Sequence, residues 1–237
     1  MKKLCLILFS SVLLYATTTE FLLNDTTKAK LIIQNRTISV SIDGKKQDLQ
    51  QQTSQNITFN IKDLNFDGYK DIAISSGDVG YGGVNNYKDY FFYDPSQKLF
   101  YLAGKHINNL QLQNKQLVSY TKDGPFLYES IYDIQNKKLY KLSTSVDFGL
   151  LKQTTLFDTK GNQISKMFTP STLKITTQKA YFYKQADEST KTKIYIIKND
   201  TVKVLDYDPF GGWIKIEYQS PKKTFVAWIK EDTVKEI

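Results

Sequence analysis

Cysteine is nearly missing from this 237-residue chain: the one copy is Cys5. No intramolecular disulfide framework is available to it. Histidine is equally scarce, with His106 alone. Any Ser-His-Asp or Cys-His centre would have to be built on that one imidazole, and its flanks, Gly104-Lys105 and Ile107-Asn108, read as an ordinary strand entry. Nucleic-acid motifs are absent, and beyond the N-terminus no apolar run is long enough to span a bilayer. Pairs of carboxylates for glycoside chemistry stay open, because their separation in space is not written in the sequence.

The N-terminus carries what the rest lacks. Met1-Lys2-Lys3 is a positive start, Leu4 to Tyr15 is apolar, and small or polar residues follow from Ala16. That is the pattern of a secretory signal peptide, expected to occupy 1–19 with cleavage between Ala16 and Thr19. Cys5 lies inside the apolar stretch and not at its end, which argues against lipidation. The expected compartment is the periplasm. An exported chain without disulfides must rely on its core or on a metal. The formal net charge is +8, to which Lys2 and Lys3 contribute. The lysines are scattered on alternate strand positions, as on a solvated basic surface. The sharper alternative is attraction to an anionic envelope partner.

The hydrophobic pattern is that of strands. Ile38, Val40 and Ile42 alternate with polar residues before Asp43-Gly44, and Ile57, Phe59 and Ile61 repeat the period of two. Asp94 to Gln97, Gln135 to Lys138 and Asp158 to Gly161 each separate two such runs as hairpin turns. The 16 tyrosines and 14 phenylalanines suit pleated, half-buried surfaces. The expected fold is all-β: an antiparallel meander or propeller-like domain over 20–168, a linker at Thr169-Pro170-Ser171-Thr172, and a small barrel over 173–237. Five short strands in roughly 65 residues make that barrel marginal for independent stability.

One loop carries recognisable chemistry. Asp63-Leu64-Asn65-Phe66-Asp67-Gly68-Tyr69-Lys70-Asp71 fits D-x-N-x-D-G-x-x-D. Calcium takes six to eight hard oxygens, and alternate side chains at loop positions 1, 3 and 5 converge on one centre. The expected ligands are Asp63, Asn65, Asp67, the carbonyl of Tyr69 and Asp71, the last directly or through water, with Gly68 allowing the sharp turn. Position 12 is Ile74, so the bidentate glutamate of an EF-hand is missing. Affinity is expected at about 10⁻⁴ to 10⁻³ M, as in extracellular modules. The glycine-rich stretch Gly77 to Tyr87 lacks the Gly-Lys-Ser/Thr of a phosphate loop. It reads as a contact loop, with Tyr81, Asn85, Asn86 and Tyr87 as candidate contacts, and calcium is expected to brace it.

Two resemblances follow from these residues. The loop, the Gly/Asn stretch and Asn86-Tyr87-Lys88-Asp89-Tyr90-Phe91-Phe92-Tyr93-Asp94-Pro95 together resemble the calcium-binding β-sheet domain of periplasmic lysozyme inhibitors. They also resemble related immunity proteins that neutralise cell-wall hydrolases delivered by secretion systems. The tail, through Val202-Lys203-Val204-Leu205, Gly211-Gly212-Trp213-Ile214-Lys215-Ile216 and Ala227-Trp228-Ile229-Lys230, resembles a bacterial SH3-like domain. The resemblances imply a non-enzymatic protein that blocks a peptidoglycan hydrolase or secreted toxin effector. Trp213 and Trp228 are candidate contacts. The alternative is an envelope-binding protein that holds peptidoglycan through the SH3-like domain. Against inhibition of a basic hydrolase stands the chain's own positive charge, since like charges slow encounter.

Overall fold

Alternating apolar positions become alternating burial. In the computed structural model, which describes residues 16–51, 57–79 and 85–236, the chain is all-β. The sheets are antiparallel, and the only helical segments among the described residues are two short 3-10 turns, Glu188–Thr190 and Glu231–Thr233. No helix there is long and apolar enough to cross a membrane. Residues 1–15, most of the expected signal peptide, lie outside the described residues.

The chain forms two compact units, one of residues up to Asn109 with 136–138, the other of 110–135 with 139 onward. The first holds two four-stranded meanders. One is β1 (Thr17–Leu22), β2 (Lys28–Gln34), β3 (Thr37–Ile42) and β4 (Lys45–Gln51). The other is β5 (Phe59–Lys62), β6 (Asp71–Val79), β7 (Asn86–Asp94) and β8 (Leu99–Asn108). Register pairs Leu31 with Val40 and Ala29 with Ile42. These side chains meet Ile72, Ile74, Phe91, Tyr93 and Phe100 from the second sheet in one core.

No backbone ladder joins β4 to β8, the edges of the two sheets, among the described residues. The Gln47 amide bridges them instead: its Nε2 donates to the Phe100 carbonyl at 2.6 Å, and the Phe100 N–H donates to its Oε1 at 2.9 Å. Three residues on, Gln50 Nε2 donates to Asp89 on β7 at 3.0 Å. Residues three apart on a regular strand face opposite ways. Here a bulge in the β3–β4 pairing, between Ile38 and Ser39, shifts the phase so that both glutamines reach the second sheet.

The second unit begins with a six-stranded meander. Its strands are β9 (Gln111–Gln113), β10 (Gln116–Asp123), β11 (Phe126–Gln135), β12 (Lys138–Asp147), β13 (Lys152–Phe157) and β14 (Gln163–Thr169). A seven-stranded half-barrel follows: β15 (Thr172–Ile175), β16 (Ala180–Tyr183), β17 (Lys191–Ile196), β18 (Thr201–Asp208), β19 (Trp213–Gln219), β20 (Thr224–Lys230) and β21 (Val234–Lys235). Sheets change where the sequence places the 169–172 junction. The compact units do not divide there. Leu151 and Phe168 of the meander share one core with Leu173, Ile175, Ile214 and Ile229 of the half-barrel, which makes one body of the two sheets.

Candidate functional site

Strands β5 and β6 close the Asp63–Asp71 loop by pairing Lys62 with Asp71. Inside it, side-chain oxygens are taken by the loop's own backbone. Asp63 accepts from the N–H groups of Phe66 at 2.7 Å and Gly68 at 3.1 Å. Asn65 accepts from Asp67 N–H at 3.2 Å, and Asp67 from Tyr69 N–H at 2.8 Å. Gly68 has φ +87°, the left-handed conformation that explains a glycine there. Asp71 is fully buried. One of its oxygens accepts from Leu64 N–H at 2.8 Å and the other from Tyr93 N–H at 3.2 Å, tying the loop to β7. Burial pushes its carboxyl up to about 7, against the pull of those two N–H groups, and the charges of Asp67 and Asp63 add to the rise.

The donor set suits calcium: hard oxygens only, three of them carboxylates. None of the three carboxylates has a lysine or arginine ion-pair partner among the described residues. The structure does not, however, gather the carboxylates on one centre. Among the described residues no three His, Cys, Asp or Glu side chains stand close enough to hold a metal, because Asp71 faces into the sheet.

The other expected contact region lies elsewhere. Strand β6 runs on through Gly77 to Val79, and Val79 pairs with Asn86, so the stretch expected to be a loop from Gly77 is strand as far as Val79. Tyr81 lies outside the described residues. The β6–β7 register runs from Ile72 opposite Phe91 to Val79 opposite Asn86 with an irregularity after Ser75, so the five intervening steps of β7 give about 17 Å between those pairs. The carboxylate loop and the Asn85–Tyr87 region are therefore at opposite ends of β6. The expectation that an ion at Asp63–Asp71 directly braces that contact region is corrected accordingly.

The structure does bring Asn85, Asn86 and Tyr87 together at the start of β7, against the end of β8. The Asn108 amide joins them: its Nδ2 donates to Asn85 Oδ1 at 3.1 Å, and its Oδ1 accepts from Asn86 N–H at 2.7 Å. Buried Lys88 donates to Asn109 Oδ1 at 2.9 Å, and burial lowers its ammonium from the ordinary lysine range. Tyr87 stacks on His106 with ring centroids 4.2 Å apart and planes 5° from parallel. His106 is no ordinary strand entry. Its φ is +54°, it lies beside irregular β7–β8 pairing, and its N–H donates to buried Asp89 at 2.8 Å. A non-glycine residue held there costs energy that the surroundings must offset. Asp89, fixed also by Gln50, supplies that hold. The sequence carried one signal of this, Gly104 inside a strand pattern, which marks a bulge.

In the tail, Trp213 is 5% exposed and packs edge-on to Tyr183 at 4.8 Å, beneath the Lys230 ammonium at 4.0 Å. It offers little surface. Trp228 is half-buried. Among the described residues of this region the most exposed aromatic is Phe210, at 81%, and Tyr195 is exposed as well. A side chain at neighbouring Gly211 would collide with the Asp208 carboxylate and the Trp213 ring.

No family model matches the chain. No curated protein matches it. A solved structure described as that of a Xanthomonas type IV secretion system related protein is similar at 17% identity and a TM-score of 0.44, over 64% of this chain and 99% of that one. A likeness of that size fixes neither family nor activity.

Proposed function

We propose that this protein is an exported, periplasmic inhibitor or immunity protein that neutralises a cell-wall hydrolase by protein–protein contact, without catalysis of its own. The observation that carries the reading is the Tyr87–His106 stack, held in place by Asp89 and flanked by the Asn85–Asn108 amide pair. Aromatic anchors beside fixed amides are the mixture protein-recognition surfaces use. Because the backbone beneath the stack is already fixed, little ordering remains for binding to offset.

Asp63, Asn65, Asp67 and the Tyr69 carbonyl would hold calcium, with Asp71 anchoring the loop to the sheet. A bound ion supplies positive charge beside the Asp63 and Asp67 carboxylates, which have no lysine or arginine ion-pair partner among the described residues. The loop then acts as a stabiliser of the first unit, and the contact residues do the recognising.

The test is capture from periplasmic and secreted fractions on the immobilised full chain. Recovery of a stoichiometric peptidoglycan hydrolase whose activity the chain suppresses supports the reading. Tyr87→Ala and His106→Ala should each weaken that complex about tenfold or more, as for an interface anchor, while leaving the melting temperature near wild type. Retention on purified sacculi with no protein partner would sink it in favour of wall binding through the tail.

A further inference from the structure

The first unit has a second feature that recognition at Tyr87 and His106 does not use. Where β4 and β8 diverge beyond the Gln47–Phe100 bridge, they leave a cleft of about 350 Å³. Its apolar lining is Val40, Ile42 and Leu99, and its ammonium groups are Lys45, Lys46 and Lys98, against the single carboxylate of Asp43. Leu99 is 47% exposed. Leu99 thus offers apolar surface inside a lysine-rimmed hollow, beside the nearly buried Ile42. Among the described residues the ion pair of Lys46 is a long one, to exposed Asp48 at 3.8 Å, and an exposed pair of that kind contributes little. The Gln47 amide, bonded through both its oxygen and its nitrogen to the Phe100 backbone, is part of the lining and fixes the separation of the two strands there.

We infer that this cleft between the β3–β4 turn and the β7–β8 turn binds an extended acidic peptide segment of a partner protein, its carboxylates on Lys45, Lys46 and Lys98 and an apolar side chain against Leu99 and Ile42. Two observations select that occupant. The excess of positive charge calls for an anion, and the apolar floor calls for hydrocarbon beside it. A phosphate or a hydrated acidic glycan would use only the first. The cleft also opens between the edges of two sheets, where an extended segment finds room to lie alongside a strand. The site stands apart from the inhibitor reading, because it lies toward the opposite end of the sheet from Tyr87 and is probed without the hydrolase.

The experiment titrates the full chain with a short synthetic peptide alternating glutamate and leucine, followed by calorimetry and by amide shifts. Saturable binding that shifts Lys98, Leu99 and Phe100 amides is expected. It should weaken about tenfold in K45Q/K46Q/K98Q, the sum of three exposed ion pairs, and weaken also at raised salt, which screens such pairs. Leu99→Ser should reduce it as well, with melting temperatures of all variants near wild type. No binding, or equal binding by the lysine variant, overturns the inference. Equal binding of a glutamate–serine peptide or of inorganic polyphosphate, indifferent to Leu99→Ser, reduces the site to general attraction of anions and also overturns it. Since capture of a hydrolase depends on Tyr87 and His106, either proposal can fail while the other stands.

Discussion

Asp71 does two incompatible things for a carboxylate. It is wholly buried, and it is the acceptor for two backbone N–H groups, those of Leu64 and Tyr93. Asp71→Ala should therefore cost about 2–4 kcal/mol in denaturant unfolding, from two stranded donors. Asp71→Asn should cost less, because an amide oxygen still accepts one of them. The pH dependence follows from burial. The folded-state value, about 7, lies above the ordinary 3.8, so ionisation is disfavoured in the folded chain and free in the unfolded one. Stability contributed by the neutral form is complete below about pH 4 and is lost as pH rises toward 7. In chelator, the melting temperature should fall across that window, and Asp71→Asn should flatten the fall. A melting curve indifferent to pH there would contradict the assignment.

At the scale of elements, the turns show how much was legible. Asp43-Gly44 and the Gln135–Lys138 hairpin were readable, and both are observed with left-handed central residues. Asn35-Arg36 and Asn114-Lys115 adopt the same paired positive φ without a glycine, so the usual Asn-Gly or Asp-Gly signature was missing. The nine-residue motif located the carboxylate loop, since its spacing is local. The Tyr87–His106 stack and the Gln47–Phe100 bridge escaped, because each joins residues from different strands and depends on a bulge that register alone creates. The bridge makes its own prediction. Gln47→Ala should destabilise the first unit by about 1–3 kcal/mol and should raise the hydrogen-exchange rate of the Phe100 amide selectively.

For the whole molecule, the all-β class was written in the alternation, and the division into bodies was not. The sequence marks the sheet boundary at Thr169 to Thr172, yet Leu151 and Phe168 pack into the half-barrel core. Leu151→Ala, at a fully buried position, should cost about 2–5 kcal/mol and lower the melting of meander and half-barrel together in calorimetry. Excess calcium over chelator should raise the melting temperature of the chain, as for any ligand that binds only the folded state. Identical curves would remove the metal.

The length of β6 constrains how those effects combine. With the carboxylate loop at Asp71 and the proposed recognition face at Asn85 to Tyr87, across from Val79, any cross-talk between a bound ion and a bound partner would be a coupling free energy transmitted along one strand. Thermodynamic reciprocity makes that coupling measurable from either side. Whatever factor calcium applies to the partner's dissociation constant, the saturating partner must apply to calcium's. A factor near one would describe a protein whose metal sets its lifetime and whose partner sets its occupancy, each regulated without consulting the other.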